Sequence, residues 1–453
     1  MPTTPLRRAT ALVALSLAFG LIQFDATVIN TVLDTMRSDL GGNLGLAQWA
    51  VDGYTIPFAA LMLAAGPAAD RFGRRHVCVL GFVLFAAATA GCALSPGWAA
   101  LISCRVAAGI GAALILPSSL AMIGEVYPEP AVRARALGVW GGVASAGFAA
   151  GPPVGGALAA AFGWRSVFWV GVPIALAAGA AVGRTAPSSA RREGRLAVRG
   201  TALAAAALAL GTAAIIEAGQ ARWVLAAALA TVTVLVFVAF VASERGSVPM
   251  IPRDMLTPGR FRSAIATGFV FNFALYGALL CVGLGLQSVH GFSVLGTGMA
   301  ILPMTIVVAF GSTSSGFLTA RFGPRIPMVV GFGCAAAGAA GVALGASSPA
   351  AVIAGQTAIG LASLAMPAMT SIALAEAPPA HAGLAGAVLN CARQTGGALG
   401  VAVLGAAFSA CGADAGALAV VFAATAVILV VGIRTSLAAT VSRPPEEVPC
   451  DVG

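Results

Sequence analysis

Long apolar stretches recur along almost the whole chain, and this pattern restricts the protein to a membrane fold. Interruptions by charged residues, proline and glycine divide the 453 residues into fourteen such stretches, at 9–33, 46–69, 76–94, 98–122, 136–160, 164–183, 200–219, 222–242, 262–286, 294–319, 326–346, 350–375, 383–410 and 413–433. A helix of about 20 apolar residues spans the hydrocarbon core of a bilayer. Only 9% of the residues are charged, against about 25% in soluble domains. The sequence therefore predicts an all-α integral membrane protein with fourteen transmembrane helices.

The arginines predict how these helices are oriented. All 25 basic residues are arginine, and cytoplasmic loops are enriched in such residues. If both termini are cytoplasmic, twenty arginines lie on the cytoplasmic side and only three, Arg37, Arg165 and Arg222, lie outside. Arg105 and Arg393 remain inside predicted helices. We therefore expect a multi-pass protein of the inner (plasma) membrane with both termini in the cytoplasm.

An internal repeat predicts how the helices are grouped. The sequence DRFGRR at 70–75 recurs as ARFGPR at 320–325, and Pro117 and Pro367 have the same separation of 250 residues. That separation corresponds to eight helices, so we expect two six-helix halves with two extra helices between them, a 6+2+6 arrangement. Transporters commonly contain parallel repeats of this kind. The predicted regions are an N-terminal half (1–183), a basic loop with two extra helices and a cytoplasmic loop (184–261), a C-terminal half (262–433) and a disordered cytoplasmic tail (434–453).

A charged loop follows the second predicted helix. It contains Asp70, Arg71, Gly73, Arg74 and Arg75. Asp70 can pair with an arginine and interact favourably with a helix N-terminus, and Gly73 permits a tight turn. A positive-inside anchor would explain the arginines but neither Asp70 nor the related sequence 250 residues later. We interpret the loop as a cytoplasmic latch. It resembles the signature loop of the major facilitator superfamily, which in that family keeps the cytoplasmic side closed in the outward-open state.

Asp25 and Arg105 are ionisable residues inside the first and fourth predicted helices. An arginine in a transmembrane helix costs about 2.5–3.5 kcal/mol on insertion scales and usually has a function, although a structural ion pair is the alternative. At 1.5 Å per residue, both lie about 12 Å below the outer ends of their helices, so they can meet. Changing their separation would change the affinity of the carboxylate for a proton. We therefore predict that they couple transport to protons.

Two motifs around these residues extend the resemblance. Arg105 begins a sequence similar to the family's fourth-helix motif, in which the arginine assists proton transfer. Asp25, Thr27 and Asn30 match the Asp-x-Thr-x-x-Asn signature of the fourteen-span drug/proton antiporter branch. Asp34 departs from the family, which usually has a proline near that position.

The fifth predicted helix carries a glycine face. Gly147, Gly151 and Gly155 are spaced four residues apart, which lets another helix approach closely, and Pro152 bends the helix. Together with the Gly-Pro step, this pattern resembles the antiporter motif of drug/proton exporters. The resemblance implies export against an inward flow of protons.

Asp52 occupies a position that is often threonine in multidrug members of the family and aspartate in relatives that export antibiotics from their producers. We predict that Asp52 is a second carboxylate for protons or substrate. The alternative is a solvated residue near the outer mouth.

Polar residues of both halves define the candidate substrate cavity. Segments 271–276, 302–305 and 390–397 resemble methylenomycin-type antibiotic exporters. Arg393 lies about 15 Å into its helix by the same helical rise, where it either contacts substrate or holds the helix to a neighbour, and we favour the structural role. Asn272 and Gln287 are interpreted mainly as packing or helix-end groups. The cavity residues predicted from the sequence are Asn30, Asp34, Asn272, Gln287, Asn390 and Arg393.

Together these features predict a major facilitator-type exporter that works by alternating access and proton antiport. A few buried polar groups among Ala, Gly and Phe favour a hydrophobic or amphipathic antibiotic-like substrate over a sugar, which needs many hydrogen-bond partners. The alternatives are proton-coupled uptake of a small metabolite and a non-transporting receptor or scaffold. Because the sequence has no metal-ligand spacing and no nucleophile–base arrangement, we expect no enzyme, metal or cofactor. The expected partners are a small-molecule substrate, protons and the lipid bilayer, without nucleic acid, and the chain is expected to be a monomer.

Overall fold

The computed structural model describes residues 5–186, 197–245, 249–377 and 382–440. Within these ranges every regular element is a helix. The α-helices are α1 (Pro5–Leu40), α2 (Leu44–Phe72), α3 (Arg74–Leu94), α4 (Trp98–Val126), α5 (Pro130–Phe162), α6 (Ser166–Trp169), α7 (Gly171–Thr185), α8 (Val198–Gly219), α9 (Trp223–Ser243), α10 (Gly259–Ser288), α11 (Val294–Phe322), α12 (Arg325–Leu344), α13 (Pro349–Ile359), α14 (Ala365–Glu376), α15 (Ala382–Ala410) and α16 (Ala415–Thr440). Short 3-10 helices at Arg253–Leu256 and Gly360–Leu364 precede α10 and α14.

Twelve segments of the described chain are long and apolar enough to cross a membrane. Two of them combine consecutive helices, α6 with α7 and α13 with α14. The two other long helices, α2 and α15, have 29 residues each and are less apolar because they carry polar residues such as Asp52 and Arg393. With these two, the described ranges contain fourteen helical segments, one for each predicted stretch. The predicted all-α membrane fold is therefore confirmed.

Helix ends differ from the predicted ends by several residues. The last helix extends to Thr440, so the first residues of the predicted tail are helical. The rest of that tail and most of the predicted basic loop lie outside the described residues.

The 250-residue repeat is also present in the backbone. Asn43 and Ser293 each cap a helix by accepting a hydrogen bond from the backbone N–H three residues later, at 3.1 and 3.0 Å. Gly73 and Gly323 each end the following helix with positive φ, 96° and 75°. Only glycine adopts such φ values readily. The repeated sequence therefore builds the same helix–turn–helix unit twice.

Helix packing follows the same repeat. In the first part of the chain α1 packs against α5 and α7, α2 against α4, and α3 against α4 and α7. In the second part α10 packs against α15 and α16, and α12 against α13 and α16. The two parts meet through α5 with α11, α2 with α15, and α1 with α10.

The helices α8 and α9 form a pair at the side of these two groups. α8 packs against both α2 and α15, whereas α9 packs mainly against α8. In the most apolar 18-residue segment of α9, only 6% of the residues are buried, whereas 94% are buried in the corresponding segment of α10. The exposed residues of α9 are large apolar side chains such as Val224 and Phe237, so this surface suits lipid.

The two groups touch at the end of the molecule where α1 ends and separate at the end where α1 begins. A side chain at Gly156 of α5 or at Gly298 of α11 would overlap the backbone of the facing helix. In contrast, Gly138 and Gly142 of α5 and Gly316 of α11 have no neighbouring atoms of other elements within 4 Å of an added Cβ. The cavity between the groups is therefore open at the end that carries the start of α1.

Candidate functional site

Asp25 of α1 and Arg105 of α4 form a buried ion pair. The Nη1 atom of Arg105 donates to Asp25 Oδ2 at 2.6 Å, and the two side chains are only 1% and 6% exposed, respectively. The sequence-based expectation that they meet agrees with this geometry. Charges removed from water are stable only when they are paired and hydrogen-bonded. The pair therefore belongs to the interior of the first helix group.

Helix α2 supplies two further contacts to Arg105 that sequence reasoning missed. The Nε atom donates to the carbonyl of Ala50 at 2.8 Å, and the guanidinium carbon lies 4.4 Å from the ring centroid of Tyr54. Gly109 makes this possible, because any side chain there would overlap the Tyr54 carbonyl. Nη2 of Arg105 is buried and has no hydrogen-bond partner among the described residues. Both N–H donors of Nη2 therefore lack a partner among the described residues.

The glycine face of α5 positions α1. A Cβ atom at Gly147, Gly151 or Gly155 would overlap atoms of Gly20, Thr27 or Val28 of α1, respectively. These three contacts set how close α1, and with it Asp25, lies to α5.

Helix α5 forms a hydrogen bond across this seam and faces α11 on its other side. The Thr27 hydroxyl also donates to the carbonyl of Phe148 on α5 at 3.2 Å. Pro152 lies on the opposite boundary, where its carbonyl faces Gly298 of α11. Helix α5 therefore joins Asp25 to the boundary between the two helix groups.

Asp52 lies inside the interface between α2 and α15. On the same face of α2, the Gln48 amide donates to the carbonyls of Val401 and Ala402 at 3.4 and 3.3 Å. One turn further along, Asp52 is 0% exposed. Its Oδ1 accepts a long hydrogen bond from Thr55 at 3.4 Å, and its Oδ2 has no partner among the described residues. The alternative of a solvated residue is wrong for this conformation, because α2 and α15 are in contact around Asp52.

The other predicted residues of α1 and of the last turn of α10 occupy the closed end. Asn30 is buried, and its Oδ1 has no partner within the described ranges. Its carbonyl faces Gly283 of α10, and the nearby Thr31 carbonyl accepts a hydrogen bond from Gln287 at 3.0 Å. Asp34 forms a half-buried pair with Arg37 at 3.2 Å. Gln287 therefore joins the two helix groups by a hydrogen bond, Asn30 packs beside α10, and Asp34 makes a local contact.

Arg393 of α15 contacts α10 and α14 through neutral groups. Its Nε and Nη1 donate to the amide oxygens of Asn272 and Asn390 at 3.5 and 3.3 Å. Nη2 lies 3.5 Å from the sulfur of Met366, and the ring centroid of Phe271 is 5.7 Å from the guanidinium carbon. Within the described ranges, no carboxylate forms an ion pair with Arg393. The predicted cavity residues Asn272, Asn390 and Arg393 are thus brought together.

The predicted latch contacts its own helix group in this conformation. Arg74 pairs with Asp70 at 2.7 Å and with Glu125, at the end of α4, at 2.8 Å. Arg75 donates to the Ala186 carbonyl at 3.5 Å, while Arg71 stacks over the neighbouring Phe72 ring at 5.7 Å. Glu125 carries no recognisable sequence signal, since it is one acidic residue near a helix end. Gly73 provides the turn between α2 and α3, as expected.

The geometry is that of a helical membrane transporter with a cavity between two related groups, and comparison with known proteins gives the same result. Residues 15–401 match the sequence profile of the Major Facilitator Superfamily. The methylenomycin A resistance protein of Bacillus subtilis is 33% identical over 404 residues, which cover 87% of this chain and 86% of the relative. The tetracenomycin C resistance and export protein of Streptomyces glaucescens is 32% identical over 402 residues, which cover 87% and 74%.

The chain belongs to the Major Facilitator Superfamily, and the predicted resemblance is confirmed. It is accordingly a membrane transporter and not an enzyme. Among solved structures, a bacterial homologue of the human lysosomal transporter Spinster, in an inward-facing and unoccupied conformation, aligns with a TM-score of 0.68 and 22% identity over 96% of this chain and 98% of that one. At this identity the similarity establishes the fold alone.

Proposed function

We propose that this protein is a proton-coupled antiporter that exports hydrophobic or amphipathic antibiotic-like molecules by alternating access. The observation that carries the proposal is the buried pair of Asp25 and Arg105 at 2.6 Å. An ionisable pair at membrane depth marks a proton or ion pathway more often than a stabilising contact. It is placed by α5, whose glycine face resembles the antiporter motif.

The 6+2+6 arrangement and the cytoplasmic termini are part of the proposal. The repeated caps, turns and helix contacts support two six-helix halves, α1–α7 and α10–α16, with α8 and α9 between them. The positions of the arginines support cytoplasmic termini. With that orientation the open end of the cavity faces the cytoplasm and the closed end faces outward. We also propose that the transporter works as a monomer, because α9 is the most exposed helix and its surface suits lipid.

The ion pair indicates where this conformation lies in the transport cycle. Asp25 binds a proton when the outer side is open, which removes its charge and weakens its attraction to Arg105. After the change of access, the carboxyl releases the proton to the cytoplasm, and the carboxylate pairs again with Arg105. An inward-open state with the pair intact follows proton release and precedes substrate binding. Net transport is then one substrate outward for protons moving inward.

Asp52 is proposed as a second proton-binding group at the outer gate between α2 and α15. A carboxylate that is buried without a cation costs several kcal/mol. We therefore propose that Asp52 is protonated while α2 and α15 are in contact. Opening of the outer side would hydrate the group and allow the proton to leave. Proton binding at Asp52 thus favours closure of the outer side.

The named functions of the relatives support export of a drug-like molecule over metabolite uptake. These relatives are a resistance protein for methylenomycin A and a resistance and export protein for tetracenomycin C. The boundary between the two halves contains aromatic rings, with Phe148 and Tyr276 in an edge-to-face contact at 6.2 Å. Aromatic surfaces with few polar groups suit amphipathic ligands. A receptor or scaffold role has no comparable support.

Inverted membrane vesicles test the direction and the coupling of transport. In such vesicles the cytoplasmic face is outside, and respiration makes the lumen acidic. We expect methylenomycin A or tetracenomycin C to accumulate in the lumen and to reduce the pH gradient at the same time. Vesicles from cells that lack the protein are the control. Drug movement out of the lumen would instead support uptake, and accumulation without proton flux would contradict antiport.

A further inference from the structure

The second helix group contains a membrane-embedded cation that the described protein does not neutralise. Arg105 in the first group has Asp25 as its counterion at 2.6 Å. Arg393 contacts only amide oxygens, a thioether sulfur and an aromatic ring. Both guanidinium groups lie inside predicted membrane-spanning helices, and among the described residues only Arg105 has a carboxylate partner. A charge left without a counterion at this depth is expensive, so it indicates a ligand.

The hydrogen bonds of Arg393 leave room for an anion. A guanidinium has five N–H donors. Nε donates to Asn272, one N–H of Nη1 to Asn390, and one of Nη2 to the sulfur of Met366. One N–H remains on each of Nη1 and Nη2. A carboxylate accepts two parallel N–H bonds of this kind.

The surroundings of Arg393 connect it to the boundary between the halves. Phe271 lies beside the guanidinium, and Tyr276 lies on the same helix, α10. The Tyr276 ring contacts Phe148 of α5, and its hydroxyl contacts Gln23 of α1. The half-buried cation thus lies beside Phe271 on α10, the helix whose Tyr276 contacts Phe148 at the boundary with the first half.

We propose that Arg393 binds an anionic group of the transported molecule and that the substrate is an amphipathic acid carried as its anion. The apolar part of this acid extends from Arg393 toward the boundary between the halves, where Tyr276 meets Phe148. This inference rests on the proposed export function and specifies its substrate class. Arg393 also holds α15 to α10 and α14, which is the structural role favoured from the sequence. The same side chain therefore has both a structural role and a binding role.

Three probes of the same size and different charge test this inference. The purified protein in nanodiscs of phosphatidylcholine is titrated calorimetrically with 2-naphthoate, its neutral amide 2-naphthamide and the cation 2-naphthylmethylammonium. We expect the anion to bind at least about tenfold more tightly than the amide, because charge-assisted bidentate bonds are strong. Equal affinity for the three probes would overturn the inference.

Four variants separate the charge of Arg393 from its packing. Arg393→Gln is expected to lose the preference for the anion, and Arg393→Lys to keep part of it. Asn272→Asp supplies an internal carboxylate next to Nε and is expected to weaken naphthoate binding by at least about tenfold in a protein that retains its packing. Arg321→Gln, whose arginine stacks on exposed Phe322, is the matched control and should behave as the wild type. Unchanged anion preference in Arg393→Gln or in Asn272→Asp would overturn the assignment.

The anion could also be inorganic or a lipid headgroup, and the same assay distinguishes these sources. The titrations are repeated in sodium chloride and in sodium gluconate, and in nanodiscs that contain phosphatidylglycerol. Insensitivity of naphthoate binding to these changes supports the substrate assignment. If chloride or phosphatidylglycerol abolishes naphthoate binding to the wild type, Arg393 holds an adventitious or lipid anion and the assignment is wrong.

The vesicle experiment separates this inference from the proposed function. Drug-dependent proton flux without any anion preference overturns the substrate class and leaves export in place. Anion preference without drug-dependent proton flux overturns the proposed antiport.

Discussion

At the scale of single residues, the arginine inside the first half and the arginine inside the second half have different binding partners. Arg105 is neutralised by Asp25, held by the Ala50 carbonyl and covered by Tyr54. Arg393 has neutral partners within the described chain. The two arginines lie on helices that are not related by the 250-residue repeat, since Arg105 is on α4 and Arg393 on α15. The proposed proton site and the proposed substrate site are therefore in different halves.

Replacement of Asp25 tests the proton site. Asp25→Asn is expected to bind drug and to produce no drug-dependent proton flux in proteoliposomes, because an amide does not titrate. Arg105 then loses its counterion, and removal of one partner of a buried pair costs about 3–5 kcal/mol. A lower unfolding temperature is expected as well. Asp34→Asn, which alters only a local pair with Arg37, is the control with normal flux. Unimpaired antiport by Asp25→Asn would exclude the proposed coupling.

Replacement of Asp52 tests the outer gate. Electron paramagnetic resonance measures the distance between spin labels on Ser38→Cys and Ser288→Cys. These are two exposed positions at the outer ends of α1 and α10. Because a protonated Asp52 favours the closed state, acidification is expected to increase the closed population of the wild type. Asp52→Asn resembles the protonated group, so it should remain closed over the same pH range. A pH-dependent gap that persists in Asp52→Asn would assign the effect to another group.

Some residue contacts could be predicted from the sequence, and others could not. The meeting of Asp25 and Arg105 followed from their equal depth, which depends only on helix rise. The burial of Asp52 could not be predicted, because it depends on whether the outer ends of α2 and α15 are together, and this changes with the state of the transporter. Tyr54 and Glu125 lack a sequence signal, since each is one residue whose role depends on a neighbouring helix.

At the scale of helices, close packing of α1 on α5 fixes the proton site. The three glycines of α5 each face an atom of α1 that would overlap a side chain. A second seam of this kind joins α10 and α15, where Gly396 and Gly400 face the carbonyls of Phe269 and Phe273. The sequence predicted the first seam by its spacing, and the second was not recognised because its glycines are mixed with a longer glycine-rich stretch. Equivalent helices thus pack in the same way in both halves.

Enlargement of Gly147 tests the seam. Gly147→Ala places a methyl group against the Gly20 carbonyl, and overpacking of this kind costs about 1–3 kcal/mol. We expect a lower unfolding temperature in detergent and slower antiport, because α1 and Asp25 are displaced. Gly138→Ala, on the same helix with open space around it, should have no effect on the unfolding temperature. Equal unfolding temperatures of the two variants would show that the seam is not tightly packed.

At the scale of the whole molecule, the two halves are in contact at one end and apart at the other. The described contacts between them involve the outer and middle parts of α1, α2 and α5, such as the hydrogen bond of Gln287 to the Thr31 carbonyl. The parts of α5 and α11 at the end where α1 begins lie apart. Alternating access requires these parts to meet in the opposite state. The helix count and the repeat could be predicted from the sequence, whereas the conformation could not, since both states use the same residues.

Two cysteine pairs test this change between the two access states. Ser145→Cys with Ser312→Cys replaces hydroxyl groups whose oxygens are 3.4 Å apart, so cross-linking is expected in the present conformation. Gly142→Cys with Gly316→Cys is expected to cross-link only when the cytoplasmic side closes, and the cross-link should block drug entry into inverted vesicles. Single-cysteine variants are the controls in gel mobility assays. Efficient cross-linking of the second pair without loss of drug entry would contradict the proposed motion.

Helix α8 adds a consequence for the kinetics of this motion. At its outer end Gln220, the residue after α8, contacts Asn43 at the start of α2, while Gly219 lies against Ala406 of α15. The outer ends of α2 and α15 belong to different halves, so they cannot separate while both contacts persist. Each outward opening must break one of them, which adds to the activation barrier for this step. The extra helix pair would then lower the turnover rate, because it limits how often the outer side opens. The affinity for the transported molecule would stay unchanged.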